Sequence, residues 1–217
     1  MRALLLLGGA LAFMPPPAPA PSSRRFSAAP GLTPASAVTR LKVAAQTKQV
    51  PVNELIDCLA CIEEQAASQD AATLSSRMQS QLTGCWRLVY MSARSNPYCP
   101  GNLVLTLDTM AETISTTIYR FEAFKEYEKS GKLFWDPARR RIEFEYERET
   151  AMFGLIRDKD YEAPRNEQPD AEAPKGQRYD AWYDMIWMDR DVAFARGCTG
   201  CLYLWRRDRE LEMENGI

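Results

Sequence analysis

The sequence predicts a mainly β domain, a barrel or a sandwich, behind N-terminal helices, and three observations carry that expectation. The apolar period changes from about 3.6 residues to 2 at Thr83-Gly84. Roughly eight short apolar or alternating runs follow, separated by turn residues. Upstream of the change the apolar residues instead recur at helical spacing.

From Val50 to Leu82 the pattern is helical. Leu55, Ile56, Leu59 and Ile62 recur at three- and four-residue steps, with Asn53 read as the N-cap and Glu54 in the first turn. A second helix is expected from Asp70 to Gln81, with Leu74, Met78 and Leu82 as its apolar side. "CWRLVYMS" then sets Trp86, Leu88 and Tyr90 against Arg87 and Val89, the pattern of a strand with one buried face. Further strands are expected at Leu103 to Leu107, Thr113 to Phe124, Lys132 to Trp135, Arg141 to Arg148, Met152 to Arg157, Ala181 to Met188, Val192 to Ala195 and Cys201 to Trp205. Asp136-Pro137 marks the turn between two of them. Residues 158–178 are polar, proline-interrupted and without period, and read as a long loop; 209–217 read as a polar tail.

The first forty residues differ from the rest. They hold Arg2, Arg24, Arg25 and Arg40 and no acid, a composition suited to addressing rather than folding. Arg2 and the apolar run to Leu11 form a secretory n-region and h-region, with Ala10-Leu11-Ala12 as the cleavage site, so residues 1–12 read as a signal peptide. Residues 13–40, starting Phe13-Met14-Pro15, read as a transit peptide exposed by that cleavage, leaving 41–82 as the helical segment and 83–208 as the β domain. The junction resembles the bipartite leader of algae whose plastid lies inside the secretory system. Simple secretion with a proline-rich stalk is the alternative.

Without these forty residues the chain carries 23 Lys and Arg (27 less the four arginines) against 29 Asp and Glu, a net charge of −6. That sign is opposite to a nucleic-acid-binding domain. No histidine is present, which excludes Ser-His-Asp, Cys-His and histidine-metal chemistry.

Six cysteines supply two C-x-x-C pairs, Cys58/Cys61 and Cys198/Cys201, with Cys85 and Cys99 single. The pairs are far apart in sequence and the first falls in a helix rather than on a knuckle turn, so no metal site is assigned. Thr199-Gly200 makes a tight turn between two strands, across which Cys198 and Cys201 are candidates for a regulatory disulfide; small buried thiols are the alternative. The aromatic residues on the strands suit a packed core, yet a barrel of about eight strands can enclose a small apolar ligand. Trp86, Tyr90, Trp187, Phe194 and Tyr203 are the candidate ligand-binding residues. Arg196 shares the alternation of Phe194 and, turned inward, would need a carboxylate: that of a fatty acid, or Asp189 or Asp191. Glu143, Glu145 and Glu147 alternate with Phe144 and Tyr146 and read as a solvated face, leaving no catalytic pair assigned.

Two stretches carry a family resemblance. "LTGCWRLVYMSA", Leu82 to Ala93, resembles the opening barrel segment of the plastid lipid-associated proteins, or fibrillins, and "WMDRDVAFARGCTGCLYLW", Trp187 to Trp205, resembles their closing segment. Met188, Asp189, Asp191, Val192, Arg196, Gly197 and Gly200 stand at family positions. Ala193 departs from the family's first arginine and Ala195 from its serine, so only Arg196 carries over. The resemblance implies a lipocalin-like antiparallel β-barrel with preceding helices. It implies a plastid location at thylakoids or plastoglobules, peripheral attachment, and binding of a fatty acid, prenylquinone or carotenoid, without catalysis or another cofactor. The rival expectations are a lipocalin-type plastid enzyme, such as a chromophore lyase or xanthophyll-modifying enzyme, and a structural subunit of a photosynthetic complex.

Overall fold

Thr33-Pro34 opens the first helix, α1 (Pro34–Thr47). The Thr33 hydroxyl accepts from the Ser36 amide while the Ser36 hydroxyl accepts from the Thr33 amide, and proline stands where its missing N–H is no loss. The structure, a computed structural model, describes residues 31–92, 97–99, 101–120, 124–151, 155–157 and 181–216. Most of the segment read as leader, and the loop read at 158–178, lie outside the described residues. α1 nevertheless begins inside residues 13–40: Ala37 and Leu41 are fully buried, and Arg40 pairs with Glu54. The folded body therefore starts before residue 40.

α2 (Val52–Ser68) starts one residue ahead of the Asn53 expected to cap it. Pro51 fixes the entering backbone, and its carbonyl accepts the first helical bond, from the Leu55 amide at 2.9 Å. Leu55, Leu59 and Ile62 form the buried stripe, joined by Cys58 and Cys61, so this C-x-x-C packs into the core. α3 (Ala71–Leu82) is capped by Asp70, whose carboxylate accepts from the Thr73 amide at 2.8 Å.

Among the described residues nine strands follow: β1 (Gly84–Met91), β2 (Leu103–Asp108), β3 (Thr113–Arg120), β4 (Phe124–Asp136), β5 (Arg141–Ala151), β6 (Leu155–Arg157), β7 (Ala181–Met188), β8 (Val192–Gly197) and β9 (Leu202–Arg207). Every pairing is antiparallel. Strands β1 to β5 and β7 to β9 pair in chain order, and β9 returns to β1, so eight strands close an up-and-down barrel. β6 adds to the end of β5. Residues 121–123 and 152–154 of two expected strands lie outside the described residues. Three hairpins use an aspartate side chain to hold the turn: Asp108 accepts from Met110 and Ala111, Asp136 from Ala138 and Arg139, and Asp189 from Asp191 and Val192.

The long β4–β5 hairpin bends at a register shift between Ser130 and Gly131. A Cβ at Gly131 would stand 1.9 Å from the Glu145 carbonyl oxygen, so only glycine fits there. The expected polar tail is in part a helix, α4 (Arg209–Asn215), capped by Asp208. Glu212 of α4 accepts from the Cys85 amide and from Arg207, while Leu211 packs with Cys85, Val104 and Tyr119, which ties the C-terminus to β1. α1, α2 and α3 cover β7, β8 and β9 from outside.

Candidate site in the barrel interior

Strand alternation and the register place two sets of side chains on opposite faces of the barrel wall. The inner set from β7, β8 and β9 is Tyr183 and Met185; Ala193, Ala195 and Gly197; and Tyr203, Trp205 and Arg207. Because β8 offers only small residues on this face, rings from β7 and β9 meet across it. The Tyr183 and Tyr203 centroids lie 5.2 Å apart and those of Tyr183 and Trp205 6.0 Å apart. Gly197 is fitted to this contact: a Cβ there would stand 2.7 Å from Cε2 of Tyr203.

The aromatic row continues along β5. Phe144 lies 5.4 Å from Tyr183 and 5.3 Å from Tyr146. The hydroxyl of Tyr146 shares a hydrogen bond with that of Thr116 on β3, reaching over Gly131 of the intervening β4. Lys129 is beside them, its Nζ 5.8 Å from the Tyr146 ring centroid, 5.6 Å from that of Tyr127, and 3.8 Å from Glu149.

Burial divides this interior into two halves. At one end Leu105, Leu107, Ile114, Leu133, Ile142 and Met188 are buried, and Trp86 lies beneath Arg207. Arg207 is itself held by Glu212 and by the Thr83 carbonyl, so this end is a packed floor. At the other end Met91, Leu103, Thr116, Ile118, Tyr127, Lys129, Tyr146, Tyr183 and Tyr203 are only half-buried. An inward wall of that composition, still reached by solvent, is the mouth of the barrel and the candidate site for a ligand. Burial pushes the Tyr203 hydroxyl up to about 12 and raises those of Tyr146 and Tyr183 as well. The mouth therefore presents uncharged phenols, able to donate or accept hydrogen bonds.

The six residues singled out in the sequence separate between the two faces. Trp86 faces the floor, with its indole N–H donating to the Leu82 carbonyl, and Tyr203 faces the mouth. Phe194, Arg196 and Tyr90 belong to the outer face, and Trp187 meets α3, where Arg77 sits 5.1 Å over its ring. Arg196 donates to Glu63 of α2 at 2.7 Å and to the Gly200 carbonyl at 3.1 Å, in place of Asp189 or Asp191. Those two aspartates instead hold Lys42 of α1. Cys198 and Cys201 are free thiols; backbone bonds close their turn, the Gly197 amide donating to the Cys201 carbonyl at 2.9 Å and the Gly200 amide to Gly197 at 2.8 Å. The sequence reading missed Lys129, Thr116 and Tyr183. Their signal was the alternation with Tyr127 and Gly131 on β4 and with Ala181 and Met185 on β7.

No family model matches the chain, and no curated protein does. Among solved structures, an uncharacterized protein from Bacteroides eggerthii is similar over 58% of this chain and 98% of its own, at 8% identity and a TM-score of 0.36.

Proposed function

We propose that the protein is a fibrillin-like carrier of the plastid that takes a fatty acid, prenylquinone or carotenoid into the mouth half of the barrel and attaches peripherally to thylakoids or plastoglobules. The observation that carries this reading is the half-buried aromatic wall from Tyr203 through Tyr183 to Tyr146, set above a packed apolar floor. Large rings supply apolar contact at low entropic cost, and their hydroxyls fix the orientation of a ligand. For a fatty acid, the cation at hand is Lys129 of the inner wall, not Arg196. The adjacency of β1 and β9 is a second support, because the two segments that resemble the fibrillins are neighbours whose pairing closes the barrel.

Native mass spectrometry of the full chain, titrated with oleate and separately with a plastoquinone, tests the reading. One bound molecule per chain is the expected result, with loss of tryptophan fluorescence in the plastoquinone titration, because Trp205 stands beside the wall and a quinone ring quenches indoles. Absence of uptake of either probe would overturn it.

A further inference from the structure

On the outer face of the barrel, Arg87 of β1 and Arg206 of β9 are direct cross-strand partners. Like charges placed opposite one another are destabilising. A third cation joins them: Lys48, at the end of α1, has its Nζ where a Cβ on Gly101 would be 3.2 Å away, and the same position is 3.4 Å from Cδ of Arg87. Asp208 is the carboxylate that answers this group, accepting from Nε of Arg87 at 2.6 Å. Arg87 also donates to the Gly101 carbonyl at 2.6 Å. Among the described residues, Lys48 and Arg206 form no ion pair. All three cations are partly buried, in a chain whose overall charge is −2.

We infer that Lys48, Arg87 and Arg206 form a binding site for an oxyanion group, a phosphate or sulfate ester or a free anion of the same kind. Among the described residues, three half-buried cations with one carboxylate leave two charges unanswered, and partial desolvation makes an anion held there worth more than at an open surface. A tetrahedral oxyanion suits the set because it can accept from two guanidinium groups and an ammonium at once. The desolvation and mutual repulsion that lower the Lys48 pKa are the forces such a ligand would relieve. The site is on the outer wall, apart from the barrel interior, so it stands or falls separately from the carrier reading.

The test uses the full chain with two probes. Thermal unfolding is followed in inorganic phosphate and in chloride at equal ionic strength, and flotation is followed with phosphatidylcholine vesicles with and without phosphatidylglycerol. Stabilisation by phosphate above chloride assigns a free anion, and flotation that needs phosphatidylglycerol assigns a lipid headgroup; either supports the site. In Arg206→Gln the response weakens about tenfold, as expected for loss of one charge-assisted contact. That variant also unfolds at the same or a higher temperature than wild type without the anion, because it removes an opposed charge. Lys48→Asn is the second variant, since asparagine tolerates the left-handed backbone at this position (φ 56°). Equal behaviour in phosphate and chloride with no preference for phosphatidylglycerol, or an undiminished response in both variants, would overturn the inference.

Discussion

The two faces of the β8–β9 hairpin have opposite partners. Outward, Val192, Phe194, Arg196, Leu202, Leu204 and Arg206 lie on the side covered by the helices. Inward, Ala193, Ala195 and Gly197 are small, and Tyr203 and Trp205 supply the bulk that fills the space above them. The buried apolar residues of the outer face, Val192, Phe194, Leu202 and Leu204, form an interlayer core where loss of volume is felt as instability, while Arg196 and Arg206 stand partly exposed at its edge. The inner face grades from packed floor to half-buried mouth, where a change of shape would be felt first by the proposed ligand. Perturbing the faces separately should therefore separate stability from ligand uptake.

The largest effect is expected on the outer face. Phe194 is 1% exposed, and Phe194→Ala should lower the unfolding free energy by about 3–5 kcal/mol, measured by urea denaturation. Oleate uptake below the transition should be retained. If uptake disappears while the chain remains folded, the division between the faces is wrong.

Gly197→Ala tests the inner face from the same strand. The added methyl meets the Tyr203 ring at 2.7 Å, and a rigid aromatic side chain cannot bend out of the way. Overpacking of this kind costs about 1–3 kcal/mol. Because the displaced ring belongs to the mouth, oleate affinity should fall further than in Phe194→Ala, despite the smaller loss of stability. Titration of both variants under native conditions checks the inversion.

The order and type of most elements were legible because alternation, helical spacing and turn residues are local signals. Asp136-Pro137 and the Thr199-Gly200 turn fall where the sequence put them. Which face of β8 points inward was not legible, because both faces are buried and apolar and alternation distinguishes faces only when one is polar. The partner of Arg196 was hidden for a different reason: Glu63 is 133 residues away, on a helix whose docking no local pattern specifies. α4 was missed because a seven-residue polar helix has almost no apolar period, and its anchors are long-range bonds to Cys85 and Arg207. α1 was divided at residue 40 by composition, although Thr33-Pro34 and the spacing of Ala37, Leu41, Ala44 and Ala45 mark a helix.

That boundary is testable as part of the outer cover. Removing residues 1–40 deletes the Thr33 cap and Ala37 and breaks the Arg40–Glu54 pair, whereas removing 1–31 leaves all three. The longer deletion should be less stable by about 1 kcal/mol from the cap alone, read as a lower urea midpoint with both variants still taking up oleate. Equal midpoints would show that the first half of α1, Pro34 to Arg40, adds nothing to the cover.

The smallest effect is expected from Arg196. Its side chain is 37% exposed and that of Glu63 42%, so water screens the pair and Arg196→Ala should cost only about 0–1 kcal/mol. The same exposure limits what loss of the bond to the Gly200 carbonyl can do, since water can replace the guanidinium there. Oleate affinity should be unchanged, because the guanidinium projects toward α2 and away from the aromatic wall. Lys129→Gln is the contrast: it removes a cation beside the Tyr146 and Tyr127 rings and should weaken oleate while leaving an uncharged prenylquinone unaffected. A fall in oleate affinity in Arg196→Ala, with Lys129→Gln neutral, would exchange the inner and outer assignments of these two strands.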